Sequence, residues 1–260
     1  MTTDYSTVTE TWGLAATPEQ VLMQYARYRT AGDLAAGKRL LEIGSGAGMG
    51  IEYLRRRTSL AVGGDYTMAL VREAHTHVPE ALLARFDAQH LPFADKSFDV
   101  VLMLEMIYYI PDLDLALREC KRVLTEGGQV MITVPNKERP DFNPSQFAVG
   151  YLTAADLART LERNGFAATA LGAFPIDDGA QRDRALAPLR HFAVRYHLIP
   201  NSMRAKALIK RVLYGPLPKL GAMQDGNAPA PKLAELDLGA GPHPGYKTIY
   251  AIGRKTERSC

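Results

Sequence analysis

The sequence predicts an α/β protein, a mostly parallel sheet with helices on both faces. Three observations carry that prediction. Short apolar runs at 39–43, 59–64, 81–86, 98–103 and 129–134 alternate with helical patterns, a rhythm that sets parallel strands between crossover helices. The first run, RLLEI, passes directly into a glycine-rich turn, GSGAG, at 44–48. An aspartate, Asp65, closes the second run, LAVGGD, twenty-one residues after Gly44.

The elements follow in order. Residues 1–38 form an N-terminal helical cap, in which Thr17 caps a helix with Pro18 in its first turn and Val21, Leu22, Tyr25 and Tyr28 fall near one face. Leu40, Leu41, Glu42 and Ile43 read as a strand buried on both sides. Gly44, Gly46 and Gly48 let the chain turn tightly and approach a ligand. A helix over 49–57 then points its free N–H groups at the turn and favours an anion there. A second helix spans 68–77, with His75 and His77 at the end where the dipole suits them. A third spans 112–124 and stops at Glu126-Gly127-Gly128, with glycine as a left-handed cap. A helix over 153–164 is stopped by Gly165, the sixth strand covers 166–174, and the last covers 246–253. Residues 39–174 are thus the core, 175–245 an insert between strands six and seven, and 246–260 the last strand with a C-terminal tail.

Composition narrows the function classes. The 260 residues are 47% hydrophobic and 23% charged, ample for one core. A net charge of +3 is too small to imply nucleic-acid binding. The two cysteines, Cys120 and Cys260, suit a reducing compartment without a disulfide framework. No apolar run approaches about 18 residues, and MTTDYSTVTE lacks a signal pattern, so a cytoplasmic location is expected. None of the six histidines pairs with a carboxylate or cysteine at metal-ligand spacing, so no metal is expected.

Two nucleotide fingerprints compete at the first turn. The dinucleotide pattern G-x-G-x-x-G, started at Gly44, needs glycine at 49, where Met49 stands. The pattern present is acidic-x-G-x-G-x-G, through Glu42, Gly44, Gly46 and Gly48. Asp65 is placed to accept from ribose hydroxyls with either ligand. An NAD-dependent oxidoreductase therefore stands as one alternative, and a non-catalytic cofactor-binding protein of the same fold as another.

Four segments in order, LLEIGSGAG, GGDYT, FDAQHLPFADKSFDVVLMLE and LRECKRVLTEGGQVMITVPN, resemble the small-molecule branch of the class I S-adenosylmethionine-dependent methyltransferases. The resemblance covers residues 39–136. It implies a Rossmann-like seven-stranded sheet whose antiparallel last strand lies next to the sixth, with S-adenosylmethionine as cofactor. It further implies a cofactor site built from Glu42, Gly44, Ser45 and Gly46, with Asp65 on the ribose hydroxyls and Tyr66 against an adenine face. Asp87 and the Ala88 backbone would meet the adenine edge, and the Leu104 carbonyl the methionine ammonium. The N-terminal helix would close the site, with Tyr25, Arg27 or Tyr28 near the methionine carboxylate.

Methyl transfer asks for alignment at a carbon already activated by a sulfonium, and for a base where the acceptor must lose a proton. The segment after the fourth strand lies at the carboxyl end of the sheet, where α/β folds bind ligands. It lacks the N/D-P-P-Y/F/W motif of nucleobase amino-methylases. Glu105 is the candidate base or orienting carboxylate, Tyr108 and Tyr109 shape the acceptor pocket, and His191 is a spare base. The expected reaction is methylation of an oxygen or nitrogen of a small molecule: a sugar, sugar nucleotide or secondary metabolite, as in polysaccharide or natural-product assembly. In the insert, a helix over 201–214 gathers Ala205, Leu208, Ile209, Val212 and Leu213 on one face, flanked by Arg204, Lys206, Lys210 and Arg211. It reads as a solvated surface, as a lid for an anionic acceptor, or, less favoured, as a helix resting on anionic lipid.

Overall fold

The computed structural model describes residues 4–176, 217–223 and 230–256. The helix expected over 201–214, with its basic arc, and His191 lie outside these residues. Five strands run parallel: β1 (Arg39–Ile43), β2 (Leu60–Asp65), β3 (Leu82–Arg85), β4 (Phe98–Leu104) and β5 (Leu124–Pro135). Three more follow: β6 (Phe166–Pro175), β7 (Ala234–Glu235) and β8 (Tyr246–Lys255). The sheet order is β3-β2-β1-β4-β5-β8-β6-β7. β8 is antiparallel to both β5 and β6 and lies between them, as the resemblance implied. The eighth strand is the two-residue β7, which pairs with β6 inside what the sequence presented as an insert.

The described helices are α1 (Pro18–Leu34), α2 (Ile51–Arg55), α3 (Met68–His77), α4 (Leu113–Val123) and α5 (Ala154–Arg163). Alternation along the strands divides the core into two layers. Leu41, Ile43, Val101, Met103, Val130 and Ile132 face one side and pack with Leu117, Cys120, Leu157 and Leu161 of α4 and α5. Leu40, Val100, Leu102 and Met131 face the other and pack with Ala31 of α1 and Tyr53 and Leu54 of α2. A residue buried on both sides of the sheet is what makes these runs nearly all apolar.

Three local expectations are corrected. Gly127 does not cap α4: Leu124 does, and β5 already begins there, with Gly127 at φ +70° beside a register shift between Phe98 and Val100. The helix after the glycine turn is only five residues long, α2, too short for its dipole to dominate the site. In α1 the predicted cap holds, with Thr17 and Gln20 forming a reciprocal capping box. Its buried residues, however, are Gln24, Ala26, Tyr28, Ala31 and Gly32, so of the stripe Val21, Leu22, Tyr25 and Tyr28 only Tyr28 is fully buried, with Tyr25 partly so. Close approach decides this. A Cβ on Gly32 would meet Tyr53 at 2.8 Å, and one on Gly50 would meet the Tyr28 ring at 2.0 Å.

Candidate functional site

At the carboxyl ends of β1, β2 and β4 lies a cavity of about 380 Å³, within the range of small-ligand sites. It sits at the switch point of the sheet, where chain connections leave β1 and β4 in opposite directions.

The turn after β1 forms one wall. Gly44, Gly46 and Gly48 have φ of +75°, +55° and +76°, the left-handed region that L side chains rarely adopt. Gly44 and Ser45 N–H donate to the Gly64 carbonyl at 2.8 and 2.9 Å, which ties the turn to β2. Gly46 N–H donates to Asp65 Oδ2 at 3.1 Å, and Thr67 N–H to Asp65 Oδ1 at 2.8 Å. Burial raises the Asp65 pKa, and these amide donors oppose that shift. Tyr66 lines the cavity beside Asp65, and Arg85 lies against its outer side, 5.5 Å from the ring centroid.

Phe86, Asp87, Ala88 and Gln89 make the next wall. The Asp87 carboxylate accepts the Gln89 N–H at 2.9 Å. Arg122 of α4 holds the following loop by donating to the Leu91 and Phe93 carbonyls at 3.0 and 2.8 Å.

The third wall is the end of β4. Leu104, Glu105, Tyr108 and Tyr109 all face the cavity. Glu105 sits at φ +56°, a strained conformation for a non-glycine residue that recurs at functional sites. Its N–H donates to the Thr133 carbonyl at 2.9 Å. Tyr109 OH donates to Ser145 Oγ at 3.0 Å, and the Tyr108 ring stacks on Tyr151 at 4.5 Å. Burial raises the pKa of both phenols, most strongly that of Tyr108.

The fourth wall comes from the N-terminus. From α1, Gln24, Arg27 and Tyr28 line the cavity; Tyr25 packs into the core instead. Arg27 lies between two acids, Nη2 3.4 Å from Glu10 Oε2 and Nη1 3.6 Å from Glu105 Oε1. Burial would lower its pKa, but Glu105 and Glu10 outweigh that and hold it above the ordinary value. Burial raises the Glu105 carboxyl, against the pull of Arg27. Tyr5, Val8, Thr9 and Glu10 complete the wall, and Tyr5 reaches Tyr109 and Phe147 at ring distances of 5.0 and 6.0 Å.

The structure therefore brings together Tyr28, Gly44, Ser45, Gly46, Asp65, Tyr66, Asp87, Ala88, Leu104, Glu105, Tyr108 and Tyr109 on one cavity. Glu42 is the exception among the named residues. It lies behind the turn at 1% exposure, and neither carboxylate oxygen has a hydrogen-bond partner. Burial pushes its pKa up to about 7, with Tyr28 and Arg27 pulling the other way. Among the described histidines, none lines this cavity, and no described cluster could hold a metal. Sequence reasoning missed Tyr5, Thr9, Glu10 and Gln24. Gln24 is a polar residue on α1 that no pattern singled out; the segment of the other three lacks periodicity, and its contacts span about sixty residues, as in the Tyr5 N–H to Thr67 Oγ1 bond of 3.3 Å.

Residues 41–132 match the family model described as a methyltransferase domain. Over this stretch the chain carries a methyltransferase domain, in line with the class I S-adenosylmethionine-dependent methyltransferases that its sequence segments resemble. The chain is 31% identical over 145 residues to a probable S-adenosylmethionine-dependent methyltransferase of Mycolicibacterium smegmatis, covering 54% of this chain and 56% of that one. A fatty-acid O-methyltransferase of the same organism is 39% identical over 102 residues, 37% of each chain. The chain thus spans about half or less of the length of these relatives. In fold it is similar to an S-adenosylmethionine-dependent methyltransferase from Archaeoglobus fulgidus, with a TM-score of 0.58, 15% identity, and 90% and 94% of the two chains covered. The family's cofactor, S-adenosylmethionine, suits the cavity on the chain's own terms. The positive-φ glycine turn leaves room where side chains would stand. Asp65 offers a carboxylate beside the turn, and the buried Gln24 Oε1 and Arg27 Nε lack partners. No described helix is long and apolar enough to cross a membrane.

Proposed function

We propose that this protein methylates an oxygen or nitrogen of an uncharged small molecule that presents an apolar or aromatic face, using S-adenosylmethionine. The observation that carries the proposal is one cavity with two unlike sets of lining residues. The glycine turn, Asp65 and Asp87 make up one set, and Glu105 with Tyr5, Tyr108 and Tyr109 the other. The cofactor supplies a methyl carbon activated by its sulfonium.

The chain's own residues then have a small set of tasks. Asp65 and Asp87 receive the hydroxyl and amino donors of the nucleoside, and Arg27 with Gln24 the polar amino-acid end. Tyr5, Tyr108 and Tyr109 hold the acceptor's flat or apolar face, since their rings are fixed by Ser145, Tyr151 and Phe147. Alignment of this kind is worth roughly 7–11 kcal/mol of barrier. Glu105, with its raised pKa, takes the proton of an acceptor hydroxyl or holds an amine in line. Residues 1–38 serve as the cap over the cavity and residues 175–245 as its substrate lid.

The lining argues against a phosphorylated acceptor. Glu10, Asp65, Asp87 and Glu105 face Arg27, the one cation among the described lining residues. This favours a secondary metabolite over a sugar nucleotide, and the relative named for a fatty-acid acceptor and O-methylation agrees. Turnover with methyl-labelled S-adenosylmethionine against a panel of phenols, lipid alcohols, aryl amines and sugar phosphates tests it. Label on a phenol, alcohol or amine is the expected result. Label on sugar phosphates alone would overturn the acceptor class, and no transfer to any class would favour the non-catalytic alternative.

A further inference from the structure

Residues 5–16 carry no periodic pattern, yet they are built into the glycine turn through one side chain. Trp12 Nε1–H donates to the Ala47 carbonyl at 2.6 Å. Ala47 is 1% exposed and stands between Gly46 and Gly48, both at positive φ. The indole is itself fixed from two sides. Its ring stacks on His77 with centroids 4.1 Å apart and planes at 16°, and the Trp12 backbone N–H donates to Glu73 Oε1 at 3.2 Å. Both partners belong to α3. Behind the indole, Gly13 N–H donates to the Leu220 carbonyl at 2.9 Å, and Leu220 N–H to that of Leu14 at 2.8 Å.

The turn is thus pinned at three points. Gly64 holds its first amides, Asp65 holds Gly46, and Trp12 holds Ala47. The first two pins come from the sheet, and the third comes from a segment far away in sequence. The peptide that carries this carbonyl joins Ala47 to Gly48, and on its glycine side it has little steric reason to keep one orientation. Rotation of the 47–48 peptide would be passed through the 46–47 peptide toward the Gly46 amide beside Asp65.

We infer that Trp12 is a positioning residue for the cofactor turn, holding the Ala47 peptide in the orientation that the ligand meets. This rests on the cofactor site proposed above. Trp12→Phe keeps an aromatic ring beside His77 and removes the N–H donor together with one ring of the indole. S-adenosylhomocysteine should then bind about tenfold more weakly by calorimetry, the equivalent of about 1.4 kcal/mol for one lost hydrogen bond, with the folded fraction unchanged. A purely structural role would lower the melting temperature and leave the affinity of the folded protein as it was, and that result overturns the inference. Trp12 is the chain's single tryptophan, so wild-type indole emission gives a second test that does not depend on the variant folding. Saturating S-adenosylhomocysteine should shift that emission, and an unchanged spectrum at saturation would overturn the positioning role. If the wild-type protein binds no S-adenosylhomocysteine at all, it is the cofactor reading that fails.

Discussion

Asp65 Oδ2 accepts the Gly46 N–H at 3.1 Å across nineteen residues of sequence. The bond joins the end of β2 to the turn after β1. The carboxylate proposed to meet the ribose is therefore also a clamp on the turn that surrounds the ligand.

Replacing Asp65 by alanine removes both tasks. S-adenosylhomocysteine should bind more weakly by about 1–3 kcal/mol, the usual cost of hydrogen bonds lost to a charged partner. Calorimetry on the folded variant measures this, and unchanged affinity would count against the assignment.

Gly46→Val should abolish cofactor binding while the fold survives. Gly46 sits at φ +55°, and a Cβ there would stand 3.0 Å from Thr9 Cγ2 on the N-terminal wall. A β-branched residue adds strain to crowding. Circular dichroism should show the native content, and normal binding by that protein would remove the turn from the site.

Glu42 makes stability fall with rising pH. Its pKa is pushed from an ordinary 4.5 to about 7 in the folded protein. Between those values the folded state keeps a proton that the unfolded chain has released. Its contribution is therefore fully present below pH 4.5 and is lost as pH rises through about 7. The loss by about pH 8 is of the order of 3 kcal/mol. Glu42→Gln should flatten this dependence and be the more stable form at high pH. Melting temperatures at about pH 5 and about pH 8 decide it, and parallel curves for the two proteins would contradict the cause.

Much of this was legible in the sequence where local rules and burial agree. α3 begins and ends at Met68 and His77 as its pattern predicts, and β1 occupies 39–43 because an apolar run ends at a glycine that must turn. Gly127 misled, since a glycine after a helix serves a strand irregularity as readily as a cap. The buried face of α1 misled too. Gln24, Tyr28 and the small residues Ala26, Ala31 and Gly32 are buried where α2 comes close, and Val21 and Leu22 are not. The cavity wall made by the glycine turn, Asp65 and Asp87 was readable from spaced glycines and acids. The wall of Tyr5, Thr9 and Glu10 was not, because nothing local distinguishes those residues until the chain folds back over the turn. The acidic residues among the described lining were hidden for the same reason: Glu10 and Glu105 meet only through Arg27.

The most direct measurement is calorimetric titration of the wild-type chain with S-adenosylhomocysteine and, separately, with NAD. One S-adenosylhomocysteine should bind per chain, with the site weakened in Asp65→Ala, and NAD should give no saturable heat. Saturable binding of NAD with none of S-adenosylhomocysteine would contradict the assignment of this cavity.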